Sequence, residues 1–380
     1  MTVDRLASLA GLLLCAAAAS GQKPPPPPPP VVSPQLDAER RATFRLRVGL
    51  DAARVTSPDI PGLGQGAMIK NAEGVFELTV GPLPPGAYRY NFELAGTRVT
   101  DPVNPATSEA NATAFSLMVV PGSELFDTRD VPHGSVATVY YASKTRETQR
   151  RMHVYTPPGY ENGKGRFPVL YLLHGATDSD DSWVSVGRMG AILDNLIAAG
   201  RAKPMVVVMP NGHSGRFTMG GGPNREIESC AEEVATDIRP YMEKHYRLLT
   251  GRDNRAVAGL SMGGAQSLQI AFGNLADYGY VGVFSSGIFA LGRPDPPPGP
   301  SWEEQHLATL DDAKLKKGLH RVWFAVGRED FLLDTARRTV ELLRRHGFEV
   351  ELKETAGGHV WANWRDYLVE WVPMLFGQGK

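Results

Sequence analysis

The chain has 380 residues, 42% of them apolar, and a formal net charge of −1. An apolar share of that size supplies a substantial core, and the length suits two domains better than one. Acidic and basic residues are spread along the chain, so there is no basic footprint for nucleic acid or for an anionic membrane surface.

In chain order, residues 1–21 read as a secretory signal. Arg5 precedes the apolar stretch Leu6 to Ala19, and Ala17 and Ala19 satisfy a small-x-small cleavage pattern. The stretch is too short and too weakly flanked for a spanning helix. The expected product is therefore secreted or periplasmic, with no membrane attachment after cleavage. Cys15 invites a lipoprotein reading, but the preceding residue is the large Leu14 where a small one is required. With Cys15 removed, Cys230 is the only cysteine left and no intramolecular disulfide can form. Residues 22–40 read as a linker, because the run Pro24 to Pro30 favours extended polyproline II and cannot join a helix or sheet interior. Docking to a proline-binding domain is the functional alternative.

Residues 41–125 alternate with a period of two. Phe44, Leu46 and Val48, then Phe76, Leu78 and Val80, then Tyr88, Tyr90, Phe92 and Leu94 each share a face, with turn chemistry between them at Asn71 to Gly74 and Pro82 to Gly86. This predicts a small β-sandwich. Residues 135–377 instead alternate wholly apolar strands with helical stripes. Strands are expected at 169–173, 205–209, 256–260, 280–285 and 322–326, and helical stripes through Ile192, Leu193 and Leu196, through Leu333, Ala336 and Val340, and through Trp364, Leu368 and Trp371. The fold class is α/β, a mostly parallel sheet covered by helices on both faces and preceded by the small sandwich.

Gly259-Leu260-Ser261-Met262-Gly263-Gly264 follows one of those strands and opens an apolar helix. Strand, tight turn and helix in that register make a nucleophile elbow, with glycines where backbone must approach closely. A serine hydroxyl needs an adjacent base, itself held in one tautomer by a third group. Of the histidines after Ser261, His306 and His346 fall in helical patterns and His320 leads into a strand; His359 alone sits in a loop beyond a strand, near 348–352. The acid is Asp330, at the end of the strand closing in Gly327-Arg328-Glu329-Asp330, with Glu329 and Asp334 as rivals. The oxyanion needs two amides. One is that of Met262; the other is Ala176 or Thr177, in the loop His174-Gly175-Ala176-Thr177, where His174 serves to position the loop.

Residues from about 135 to 377 resemble the esterase D and feruloyl esterase type of α/β-hydrolase, found among family-one carbohydrate esterases and enterochelin esterases. The likeness rests on Leu172-Leu173-His174-Gly175, Val208-Met209-Pro210-Asn211-Gly212, the Ser261 elbow, Gly327-Arg328-Glu329-Asp330-Phe331 and Gly358-His359-Val360-Trp361. Residues 43–120 are similar to the immunoglobulin-like early-set domains, related to glycogen-binding modules, that precede such esterases. The resemblance implies Ser261, Asp330 and His359 as a triad and ester hydrolysis with no metal or organic cofactor. The substrate it implies is an acylated carbohydrate or small ester: feruloyl esters first, then acetyl xylan and siderophore esters. Acyl transfer uses the same residues, and a non-catalytic binding protein would be expected to have lost one of them.

All six tryptophans lie beyond residue 180, outside the front domain, which therefore lacks the aromatic platform on which sugars are held and reads as a brace or substrate-side wall. Two irregular stretches, 213–230 and 288–302, should frame an open cleft beyond the strand ends. Trp183, Phe217 and Phe289 are the candidate aromatic walls for a hydroxycinnamoyl ring. No zinc-protease or paired-cysteine motif is present, and Gly220-Gly221-Gly222 lacks the lysine of a phosphate loop.

Overall fold

The computed structural model describes residues 29–215, 223–292 and 298–377. The signal segment, Cys15, most of the proline run and Phe217 lie outside the described residues. From Val32 onward the chain forms one compact unit.

The front of that unit is a pair of antiparallel sheets. One has the order Gln35–Leu36, Ala42–Arg47, Val75–Val80, Ile69–Lys70; the other has the order Arg54–Thr56, Gly86–Leu94, Ala114–Val120, Thr107–Glu109, with Thr97–Val99 also paired to Gly86–Leu94. The alternation seen in the sequence becomes a shared core in which Phe44, Leu46, Phe76, Tyr90, Phe92 and Met118 are all buried. Tyr88 and Tyr90 belong to that core rather than to a sugar-binding face. The domain begins earlier than residue 41. Gln35 and Leu36 pair with Thr43 and Ala42 across a turn closed by the Asp37–Arg41 ion pair at 2.7 Å. A two-residue strand has no period to read, so nothing in the sequence marks Gln35 and Leu36 as paired.

The remainder is an eight-stranded sheet in the order Ser135–Ser143, Thr148–Thr156, Val206–Pro210, Val169–Leu173, Arg255–Leu260, Tyr280–Phe284, Arg321–Gly327, Val350–Thr355. The first two ladders are antiparallel and the rest parallel. Parallel strands need crossovers, and the crossover helices cover both faces, so every side chain of the central strands is buried. Val169, Tyr171 and Leu173 enter one core with Val206, Val208, Phe324 and the helices Met262–Gly273 and Leu333–Arg345. Leu170 and Leu172 enter the other with Val207, Trp323 and the helices Met189–Ala198 and Trp361–Trp371. Val169–Leu173 lies between the strands that follow it in the chain, Val206–Pro210 on one side and Arg255–Leu260 on the other. Such a switch point opens a crevice at the carboxyl ends of the strands.

The front domain packs directly on this sheet. Buried Arg365, from the last helix, donates to the carbonyls of Ala87 at 3.1 Å and Val186 at 3.0 Å. Strand Thr107–Glu109 lies along residues 179–185, with Ser108 and Ser185 hydroxyls 2.7 Å apart and the Glu109 amide 2.9 Å from Asp181 Oδ2.

Candidate active site

The strand Arg255–Leu260 runs into Ser261, which has φ 51° and ψ −120°, and the helix starts at Met262. A serine at positive φ is strained, and the surroundings hold it there. The Ser261 amide donates to Phe284 O at 2.9 Å, and Ser286 Oγ donates to Ser261 O at 2.5 Å. Gly263 permits the turn: a Cβ there would stand 2.5 Å from His174 O and 2.6 Å from Leu173 O, both backbone atoms.

His359 follows the strand Val350–Thr355 and precedes the helix Trp361–Trp371, while Asp330 follows the strand Arg321–Gly327. The two loops are tied by a hydrogen bond from the Glu329 amide to Gly357 O at 3.1 Å. His359 Nδ1 lies 2.9 Å and 3.0 Å from the two Asp330 oxygens, and His359 Nε2 lies 3.0 Å from Ser261 Oγ. A carboxylate only accepts, so Nδ1 carries the proton and Nε2 is left to accept from the serine. Burial of Asp330 favours its neutral form, but the hydrogen bonds from His359 and the Leu332 amide outweigh it, and the carboxyl is held below its ordinary range.

The structure therefore brings Ser261, His359 and Asp330 into one hydrogen-bonded chain. The rivals lie elsewhere: Glu329 is exposed, and Asp334 points to solvent beside Arg337. The other downstream histidines are spoken for, His306 by Trp302 O, His320 by Asp253, His346 by Glu303 and Asp311.

Gly175, Ala176, Thr177 and Asp178 form a tight turn closed by the Asp178 amide on Gly175 O at 3.1 Å, so both candidate oxyanion donors are its central residues. The turn abuts the elbow, since a Cβ on Gly175 would lie 3.5 Å from Ser261 Cβ. His174 is buried, accepts at Nε2 from the Gly212 amide at 3.0 Å and donates from Nδ1 to Gly175 O at 2.8 Å. Burial disfavours its imidazolium and pushes its pKa down, which keeps a neutral ring bridging two loops.

One sequence reading is corrected. Trp183 is 0% exposed, donates its Nε1 proton to Leu173 O at 3.0 Å and packs edge-on against Trp361. It is a core residue beneath the site and cannot face a substrate. Phe289 is half-buried and lines a cavity of about 530 Å³ with Leu268, Gln269, Ile288 and Trp302. Ala265, four residues past the serine on the same helix, also lines it, whereas Ser261, Asp330 and His359 do not. Sequence reasoning passed over Phe331, which is 75% exposed with its ring 4.5 Å from that of His359. It also missed Trp364, which meets the His359 ring edge-on at 5.0 Å and donates to Ser285 Oγ at 3.0 Å. Phe331 directly follows Asp330, so an aromatic beside a catalytic group was the available signal; Trp364 is five positions beyond His359 and stands out in the sequence only as part of a helical stripe. Among the described residues no histidine, cysteine and carboxylate cluster suits a metal, and no helix is long and apolar enough to cross a membrane.

The sequence model of the Esterase family, described as "Putative esterase", matches residues 143–375. An endo-1,4-beta-xylanase/feruloyl esterase of Xylanibacter ruminicola is 27% identical over 351 residues, covering 90% of this chain and 46% of that protein. An esterase of Mycobacterium tuberculosis is 29% identical over 248 residues, covering 55% of this chain and 52% of that protein. The chain thus spans about half the length of these curated relatives. Among solved structures, a ferulic acid esterase from Anaeromyces mucronatus superposes with TM-score 0.59 at 29% identity, over 68% of this chain and 96% of that one. An enterobactin esterase from Shigella flexneri gives TM-score 0.62 at 17% identity over 88% of this chain and 92% of that one, a likeness of fold alone that extends over the front domain.

Proposed function

Because the chain belongs to the Esterase family, whose model spans residues 143–375, we propose that it hydrolyses carboxylic esters through Ser261, His359 and Asp330. The observation that carries this reading is the unbroken hydrogen-bonded chain from Ser261 Oγ through His359 to Asp330, presented by a strained elbow at the carboxyl end of the sheet. Ser261 Oγ attacks the ester carbonyl while His359 Nε2 takes its proton. The negative charge that develops on the carbonyl oxygen is met by the Met262 amide, at the positive end of its helix, and by the amide of Ala176 or Thr177. Collapse expels the alkoxide, which His359 protonates. Water then repeats the sequence on the acyl-enzyme, releasing the acid and restoring the serine.

The acyl group is a hydroxycinnamoyl group and the leaving group a sugar of plant cell-wall polysaccharide. Similarity to proteins named as feruloyl and ferulic acid esterases supports this. The Phe289 ring in the cavity beside the helix Met262–Gly273 and the exposed Phe331 ring offer two faces for an aromatic acid. Residues 1–21 act as an export signal, so the working enzyme is secreted or periplasmic. The test is a panel of methyl ferulate, acetylated xylan, a catecholate serine ester and aryl acetates, given to the purified protein. Highest kcat/KM on methyl ferulate is expected. Preference for acetylated xylan or the catecholate ester would move the substrate class, and feruloyl transfer to an added sugar in preference to water would make the protein an acyltransferase.

A further inference from the structure

Arg89 belongs to the front domain, on strand Gly86–Leu94, yet its guanidinium reaches the turn that carries the candidate oxyanion amides. It is 5% exposed and bridges two buried carboxylates: Nε lies 2.8 Å from Asp59 Oδ2 within its own domain, and Nη1 lies 2.7 Å from Asp178 Oδ1 across the boundary. Asp178 is the last residue of the turn that carries Ala176 and Thr177, and its own amide closes that turn. The same guanidinium lies 5.8 Å from the ring of Trp361, which opens the helix two residues after His359. A second strut comes from the same domain. The Asn111 amide donates to Thr177 O at 3.1 Å, its side-chain Nδ2 donates to Gly215 O at 3.0 Å, and Ala110 bridges Asp178 as an isolated β-pair.

A tight turn of one hydrogen bond, with Thr177 exposed, has little of its own to hold two amide vectors still. Preorganised donors stabilise a transition state only if they need not reorient as charge develops. We propose that the front domain completes the catalytic apparatus, with Arg89 as a positioning residue that acts through Asp178 to fix the oxyanion turn Gly175–Asp178. Arg89 touches neither substrate nor reacting atoms. The ion pair clamps one end of the turn, and Asn111 clamps the carbonyl of Thr177. This rests on the ester-hydrolase reading and adds the reason that the small domain is packed on the site at all.

The test compares the full chain with Arg89→Met, Arg89→Lys and Asp178→Asn. Arg45→Met serves as the control, because it breaks an ion pair to Glu77, 2.7 Å long, on the other sheet of the same domain. Two readouts are taken: kcat and KM on methyl ferulate and p-nitrophenyl acetate, and the rate of Ser261 phosphorylation by a p-nitrophenyl dialkyl phosphate. In the latter the serine oxygen displaces p-nitrophenolate and its proton passes to His359. Losing an oxyanion donor outright costs about 10² to 10³ in turnover, so loosening the turn should cost about 10- to 100-fold in kcat. KM should move little, and phosphorylation should slow in proportion. Asp178→Asn should follow Arg89→Met, Arg89→Lys should recover part of the rate, and Arg45→Met should stay near wild type. If Arg89→Met does not fold, Asp178→Asn decides alone. A folded Arg89→Met or Asp178→Asn with wild-type kcat overturns the proposal, as does a rise in KM alone, or a loss in Arg45→Met equal to that in Arg89→Met. A wild-type protein that neither turns over an ester nor is labelled at Ser261 overturns the esterase reading itself, before any variant is compared.

Discussion

Replacing Asp330 by asparagine changes one atom's hydrogen-bonding sense and almost no volume. Asp330 Oδ1 accepts from the Leu332 amide at 2.8 Å, so in Asp330→Asn that position keeps the oxygen and the new NH2 takes the place of Oδ2, 2.9 Å from His359 Nδ1. A donor facing Nδ1 forces the proton onto Nε2, where it points at Ser261 Oγ and cannot accept from it. Productive enzyme is then the fraction in which Nδ1–H turns to the remaining oxygen, which lies 3.0 Å away and is shared with Leu332. Loss of the wrong-tautomer fraction together with the imidazolium's counter-charge gives about 10² to 10⁴ in kcat, or roughly 3–5 kcal/mol. Because Asp330 does not touch substrate, KM should hardly change, and the retained Leu332 bond should keep the melting temperature close to wild type. Steady-state kinetics with differential scanning calorimetry measures both. Glu329→Gln, at an exposed carboxylate, should leave kcat within about two-fold. The reverse ranking would move the acid to Glu329, and small equal effects would refute the role assigned to this loop.

Other perturbations probe packing and charge. His174, His213 and His306 all have pKa values pushed down, each first by burial; for His213, repulsion from His174 helps bring it to about 4. Folded values below the unfolded 6.5 mean that the unfolded chain binds more protons as pH falls. Stability from these rings should be complete above about pH 6.5 and drain by a few kcal/mol toward pH 4, which thermal melts across that range will read. His346, whose nearby carboxylates raise its pKa, contributes in the opposite sense, but its partners are largely exposed and the effect should be small. A melting temperature flat from pH 7 to pH 4 would refute the buried-neutral assignment. Gly263→Ala drives a Cβ against the backbone carbonyls of Leu173 and His174 and should cost about 1–3 kcal/mol with a large loss of kcat, since it displaces the oxyanion loop. Gly190→Ala, in a helix where an added Cβ meets nothing within 4 Å, should stabilise by roughly 0.5–1 kcal/mol and leave kcat alone. Chemical denaturation of the two variants checks the contrast.

Much of the hydrolase half was legible because its signals are local. The strands at 169–173, 256–260 and 322–326 are short apolar runs, and the glycines around Ser261 occupy positions that backbone contacts make obligatory. What the sequence hid was non-local or without period. The edge strand Ser135–Ser143 is mostly exposed along its first half and gave no buried alternation. Trp183 looked like a pocket wall because it sits in a loop-like stretch after the oxyanion turn; its burial depends on Trp361 and Phe284, far along the chain. Arg89 stands between two core tyrosines on an alternating strand, where a polar residue ordinarily faces solvent. Its partner Asp178 is 89 positions away, and a salt bridge of that separation leaves no mark in composition or spacing.

Everything proposed for the site depends on a covalent acyl-enzyme formed on Ser261 with the help of His359 and Asp330. It is tested most directly by rapid acid quench of the protein with a large excess of p-nitrophenyl ferulate, followed by intact-mass and peptide-mass analysis. A feruloyl adduct is expected on the peptide carrying Ser261 during turnover, absent from Ser261→Ala and strongly reduced in Asp330→Asn. Turnover in Ser261→Ala above about a tenth of wild type, or an adduct on any other residue, would contradict it.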